Sequence, residues 1–212
     1  MPCRDDQPRA SIAPLDESEL TQAIEVLARA FRDNALNRAV IRSDDPNDRL
    51  RSNRHGMRAL LPVARRHGEA LVATLNGVVA GGLVAPPPGR LPLPPPPLLS
   101  RLRCLMGQGW RVARRWSQVY ETLEGLHPKE PHRYLGTLGV DPLLQGRGVG
   151  SALLSTWLIG VDRDGLAAYL ETDSERSVSF YETAGFALEG EAAILGVRVW
   201  RLRRAPRELT AQ

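Results

Sequence analysis

The stretch Tyr134 to Ala152, YLGTLGVDPLLQGRGVGSA, most constrains what this chain can fold into. An apolar run of strand character leads through a five-residue elbow, Asp141 to Gln145, into the glycines at 146, 148 and 150, and these open directly into a helical pattern. Glycines admit backbone conformations closed to other residues, and the free amides at a helix start aim at one point along the helix dipole. The stretch therefore reads as an anion cradle suited to a phosphate-bearing cofactor.

Which cofactor depends on details of the loop. A nucleotide P-loop needs a lysine after its last glycine, and here Gly150 is followed by Ser151, so that reading fails. The dinucleotide fingerprint finds an acid, Glu171, about twenty residues on, where a ribose hydroxyl would need one. Its glycine spacing does not match, however. The chain has Gly-x-Gly-x-Gly with Ser151 in place of the last glycine, and the elbow replaces the tight turn.

The rest of the chain gives this loop a globular setting. Its 212 residues suit one domain, 1–212, and 42% hydrophobic with 25% charged residues is the balance of a soluble fold. The net charge of +4, carried by arginine because Lys129 is the only lysine, suits an anionic cofactor but is too small to indicate nucleic acid. Cys3 and Cys104 form neither a disulfide framework nor a metal cluster. No window has the roughly 18 apolar residues of a membrane span, and the N-terminus lacks a signal-peptide core, so no stable membrane insertion and a cytoplasmic location are expected.

In chain order, a short strand is expected at 9–15, then a helix from Asp16 with Leu20, Ile24, Leu27 and Phe31 at helical spacing and a capping box of Asp16 with Glu19. A second helix runs from about Asp48 to His67. Strands Glu69 to Leu75 and Val78 to Val84 are joined by Asn76-Gly77, a hairpin signal because both residues tolerate positive φ. Pro86 to Pro97 holds eight prolines in twelve residues and must run as extended coil. From Leu98 to about Leu126 the pattern is helical, with arginines interleaved among tryptophans. Either a surface that meets a membrane or an acidic partner, or a helix with tryptophans packed and arginines in water, fits it. Residues 86–130 thus form an insert ahead of the strand His132 to Val140. There follow a helix Gly148 to Val161, a strand Leu166 to Glu171, a short helix Ser177 to Ala184, and strands Phe186 to Glu189 and Ala193 to Leu202, with a frayed tail after Pro206. The implied class is α/β (α+β): a mixed, mostly antiparallel sheet flanked by helices.

Gln145-x-x-Gly148-x-Gly150 after Leu138-Gly139-Val140-Asp141-Pro142 resembles the signature of the GNAT superfamily of acetyl-CoA-dependent N-acetyltransferases. Tyr169-Leu170-Glu171-Thr172 and then Phe180-Tyr181-Glu182-Thr183-Ala184-Gly185-Phe186 resemble the superfamily's next strand and short helix at the expected distance. The run His127 to Pro131 and the long segment before it are similar to the puromycin N-acetyltransferase type. The resemblance implies a splayed central strand pair in which Leu138, Gly139 and Val140 offer backbone groups to acetyl-CoA, with a bulge eased by Gly139. It implies that the amides of Gln145, Gly146, Arg147, Gly148, Val149, Gly150 and Ser151 take the pyrophosphate, and that an amide of Val140 or Leu138 stabilises an oxyanion. Arg147 would add charge to the nucleotide or stand free in water. Ser177 stands where many relatives carry a CoA-binding asparagine.

Acetyl transfer needs a neutral amine and a proton for the departing thiolate. The resemblance makes Tyr181 the acid. Glu171 is the candidate base, its alternative role being to cap the following turn by accepting from the amides of Asp173 or Ser174. His132, Glu121 and Glu124 are further candidates for the base. The expected activity is acetyl transfer from acetyl-CoA to the amine of a small molecule, by a monomer or homodimer. The alternatives are a protein or peptide acetyltransferase, or a non-catalytic module that binds CoA or a partner.

Overall fold

In a computed structural model of the chain, residues 10–88 and 93–207 are described. Arg9, Cys3, the middle of the proline-rich segment and the tail from 208 onward lie outside the described residues. The chain begins with β1 (Ser11–Pro14) and α1 (Leu20–Ala30). The capping box forms only in part. The Glu19 carboxylate accepts from the Asp16 amide at 3.1 Å, but Asp16 turns to the Ser18 amide and hydroxyl, and the helix starts later than expected. A short α2 (Ala35–Ile41) was not foreseen, because its stability is tertiary: the Asp173 carboxylate accepts from the Leu36 amide at 2.7 Å and from Asn34 Nδ2 at 3.3 Å. α3 (Pro46–His67) follows, capped by Asp45 accepting from the Asn47 amide at 2.8 Å.

β2 (Glu69–Leu75) and β3 (Val78–Ala85) form the expected hairpin, with Asn76 and Gly77 at φ 51° and 76°. The helical stretch after the prolines is two helices, α4 (Leu98–Gln108) and α5 (Trp110–Leu126), broken at Gly109 with φ 83°. Trp116 packs with Val112 and Val119 of α5 against Val40 and Val199, whereas Trp110 is 61% exposed. α4 buries none of its residues and leaves Leu98, Leu99, Leu102 and Met106 in solvent. Tryptophan packing is therefore only half of what the pattern suggests.

Next come β4 (His132–Tyr134), β5 (Thr137–Val140), a 3-10 turn at Pro142–Leu144, α6 (Val149–Asp164), β6 (Ala167–Thr172) and α7 (Glu175–Thr183). β7 (Ala187–Ile194) and β8 (Val197–Arg204) form a long hairpin turning at Leu195 and Gly196, with φ 51° and 80°. The expected last strand from Ala193 to Leu202 is thus bent in two. Leucine is a poor residue for a left-handed turn position, which hid it.

The strands form two four-stranded sheets, ordered β1-β2-β3-β5 and β4-β6-β8-β7, in which β4 with β6 is the parallel pair. α6 spans one face of both. Its Leu153, Leu154, Trp157 and Val161 pack on Leu71, Ala73 and Leu83 of the first sheet and on Ala168, Leu170 and Leu202 of the second. α1 and α3 cover the other face of the first sheet, and α2 and α5 meet the β7–β8 hairpin on the other face of the second.

Candidate active site

The two sheets part where β4 gives way to β5. The Leu135 amide still donates to the Tyr169 carbonyl oxygen at 3.0 Å, while the Gly136 amide donates to Val84 of β3 at 3.1 Å. Beyond that point β5 pairs with β3, and Leu170 to Thr172 of β6 pair with β8, so a cleft opens between β5 and β6. The Asp141 amide donates to the Ala80 carbonyl oxygen at 2.9 Å. Antiparallel alternation then turns the Gly139 amide toward β3 and those of Leu138 and Val140 into the cleft. The Val140 carbonyl oxygen accepts from Gln145 Nε2 at 3.3 Å.

Gly139 has a role other than the one expected. The irregularity lies at Leu135–Gly136, and a Cβ at 139 would stand 2.7 Å from Leu27 Cδ2, 2.9 Å from Phe31 and 3.0 Å from Ala30 Cβ. Its missing side chain is what lets α1 lie close on β5.

The elbow is clamped before the loop begins. Buried Asp141 accepts from the Leu143 amide at 3.1 Å and from the Arg29 guanidinium at 2.6 and 3.0 Å, so α1 holds the end of β5. Gly146 and Gly148 both sit at φ 77°, and a Cβ at either would meet nothing within 4 Å, so the demand there is conformational. The first helical bond of α6 runs from the Ala152 amide to Gly148, which leaves the amides of Val149, Gly150 and Ser151 without intrahelical acceptors. The Val149 side chain is buried, so this residue has only backbone to offer, and exposed Arg147 makes no ion pair among the described residues. With Asp141 neutralised by Arg29, the unpaired amides and helix dipole fit the pyrophosphate of a CoA-type cofactor.

On the far side of the cleft, strand alternation puts His132, Tyr134, Tyr169 and Glu171 on the face opposite α6, since Ala168 and Leu170 face that helix. The end of α5 closes over them. The Tyr169 hydroxyl donates to the Leu126 carbonyl oxygen at 3.1 Å, and the His127 ring lies 4.4 Å from that of Tyr134, centre to centre. The Glu171 side chain is 4% exposed, and among the described residues neither carboxylate oxygen has a hydrogen-bond partner. Burial lifts its carboxyl to about 7, and the hydroxyls of Tyr134 and Tyr169 with the Arg201 guanidinium restrain that rise. His127 Nε2 is 3.7 Å from Glu171 Oε1. Burial and the neighbouring His132 push His127 down to about 4, so the ring is neutral at pH 7 and the contact is not an ion pair. Glu171 does not cap the following turn, where the Ser174 amide donates to Thr172 Oγ1 instead, at 3.3 Å.

Tyr181 of α7 is buried edge-on between Phe180 and Phe186, and burial raises its hydroxyl well above the ordinary range, so it stays protonated at neutral pH. Ser177 lies in the first turn of α7, its amide already given to the cap residue Ser174 at 2.9 Å. Glu121 and Glu124 are exposed on α5, whereas His132 is buried against His127.

The model of the acetyltransferase (GNAT) family matches residues 29–186, which runs from the end of α1 through the splayed strands and the glycine loop to the Tyr181 helix. The chain belongs to the GNAT acetyltransferase family. Acetyl-CoA is the cosubstrate of that family, and the loop and cleft fit it. The mycothiol acetyltransferases of Propionibacterium freudenreichii and Nocardiopsis dassonvillei are each 35% identical over 83 residues, covering 38% of this chain and 25% of theirs. The chain thus spans only a quarter of the length of these curated relatives.

Among solved structures, that of histone acetyltransferase HPA2 and related acetyltransferase from Corynebacterium glutamicum has a TM-score of 0.69 at 24% identity, over 95% of this chain and 99% of that one. PaiA N-acetyltransferase of Thermoplasma acidophilum, in complex with coenzyme A, has a TM-score of 0.56 at 15% identity, over 93% of this chain and 99% of that one. Both show that the GNAT fold is shared. Reasoning from the residues missed His127, Tyr134, Tyr169, Arg201 and the Arg29 clamp. Alternation in His132-Arg133-Tyr134 and Tyr169-Leu170-Glu171 carried half the signal, but nothing local says that α5 ends over that face.

Proposed function

We propose that this GNAT protein moves an acetyl group from acetyl-CoA to the amine of a small molecule by direct attack in a ternary complex. The observation that carries this reading is the buried, unpartnered Glu171 carboxylate on the face of the cleft opposite α6. A carboxyl held near 7 is matched to taking a proton from an amine at neutral pH. When bound, acetyl-CoA supplies the activated acyl group. The amides of Gly146 to Ser151 hold its phosphates, with Gln145 ordering the start of the loop by its bond to Val140. The Leu138 and Val140 amides donate to the acyl oxygen, and Ser177 offers its hydroxyl to the CoA arm. Glu171 takes the amine proton, directly or through water, and Tyr181 keeps its proton to donate to the departing sulfur.

Two features support a small acceptor over a protein. The insert walls the Glu171 face, since α5 ends against Tyr169 and His127 covers Tyr134. The curated relatives are named for acetylation of mycothiol. The likeness of His127 to Pro131 to the puromycin N-acetyltransferase type points the same way, because that run forms this wall. A screen of small amines against peptides, following acetyl-CoA-dependent thiol release, tests the reading. Release with small amines is expected, abolished by Gly148→Glu and largely retained in Gly148→Asn, which tolerates positive φ. Failure of the protein to bind CoA would overturn it.

A further inference from the structure

The histidines at 127 and 132 have a geometry that the proposed chemistry does not use. The Glu130 carbonyl oxygen lies 2.8 Å from His132 Nδ1, and a carbonyl can only accept, so Nδ1 carries the proton. In the neutral ring Nε2 is then bare, and it lies 3.2 Å from His127 Nδ1. That contact is satisfied when His127 Nδ1 donates, which leaves His127 Nε2 without a proton, facing Glu171 Oε1 at 3.7 Å. We propose that His127 and His132 are positioning residues: a backbone carbonyl dictates both ring tautomers, and His127 presents a bare nitrogen that favours the protonated form of Glu171. The inference rests on Glu171 as base only for its functional meaning.

A lone pair facing a carboxylate disfavours its charge, whereas the opposite tautomer would donate to it and favour that charge. The two arrangements use the same residues and differ only in one proton's place. The other groups facing Glu171 are the hydroxyls of Tyr134 on β4 and Tyr169 on β6 and the Arg201 guanidinium on β8. Tyr120 of α5 acts on Tyr134, and Glu189 of β7 acts on Tyr169, one shell further out. These three neighbours favour the carboxylate and burial opposes it, and the bare nitrogen of His127 adds to the side of burial. The device makes Glu171 a stronger base than the same carboxyl facing a donor, and the proton it takes has an acceptor to rest against.

The test uses full-length ¹⁵N-labelled protein without substrate at pH 8, where an imidazole of ordinary pKa, about 6.5, is neutral. Two-bond ¹H–¹⁵N correlations report the tautomer of each of the four histidines, assigned by single replacements. We expect His127 and His132 both as the Nδ1–H form. In His132→Phe, His127 is released to the Nε2–H form, and the ¹³C titration midpoint of the Glu171 carboxyl falls by more than one pH unit. His132→Leu serves if the phenylalanine variant does not fold. The Nε2–H form of His127 in the wild-type protein, or an unmoved Glu171 midpoint in a folded His132 variant, overturns the proposal. Because no acetyl donor is present, that failure is distinct from failure of the acetyltransferase reading, which thiol release decides. In the active protein the same variant should also move the acid limb of the kcat profile to lower pH.

Discussion

If Glu171 is the base proposed above, one proton couples function to stability. Its carboxyl stands at about 7 in the fold against 4.5 ordinarily, so between those values the folded state holds more protons than the unfolded one and stability falls as pH rises. The cost is absent below 4.5 and complete above 7, where it is of order 3 kcal/mol. Glu171→Gln should therefore unfold at higher urea at pH 8, match the wild type at pH 4, and lose at least a hundredfold in kcat. His127 has the opposite sign. Its depressed value, about 4 against 6.5, means stability is lost as pH falls through that window, and Glu171→Gln should display this slope unopposed. In the wild-type enzyme, kcat should rise with pH to a plateau above about 7, the limb of Glu171. Tyr181→Phe keeps the packing against Phe180 and Phe186, so thermal stability should hardly change while kcat falls by about 10²-fold or more.

At the scale of elements, legibility followed the locality of the signal. The β2–β3 hairpin was plain because Asn76 and Gly77 carry their own turn, and the start of α6 because Gly148 and Gly150 do. The break between α4 and α5 and the turn at Leu195 were not, since a helical pattern continues across Gly109 and leucine does not advertise a left-handed turn. α2 is too short to show a period and depends on Asp173, far along the chain. The packing of α1 on β5 gives a test. Gly139→Ala places a methyl against Ala30 Cβ at 3.0 Å as well as against two movable side-chain ends, and helix backbone cannot yield as they can. A loss of about 1–3 kcal/mol is expected in urea unfolding, together with a higher KM for acetyl-CoA as β5 is pushed aside.

At the scale of the whole molecule, two sheets that part at the active site need a tie elsewhere, and Arg133 is one. It rises from β4 with its side chain 8% exposed, pairs with Glu69 at the start of β2 and with Asp164 at the end of α6, and lies 5.9 Å over the Trp157 ring. Arg133→Met keeps the stem and removes the charge. Because both acids are about a third exposed, water relieves part of the loss, and a destabilisation of about 1–3 kcal/mol is expected in chemical denaturation. By itself the sequence carried the donor half of the proposed chemistry, since the cradle that fits CoA is built from contiguous residues whose glycines and helix start act within one turn of each other. Only the tertiary structure decided the acceptor half. The Glu171 carboxyl stands near neutral pH, as the proposed base needs, because the end of α5, the strand pairing of β4 with β6, and His127 bury it together, and burial is a property of the assembled fold that no single segment carries.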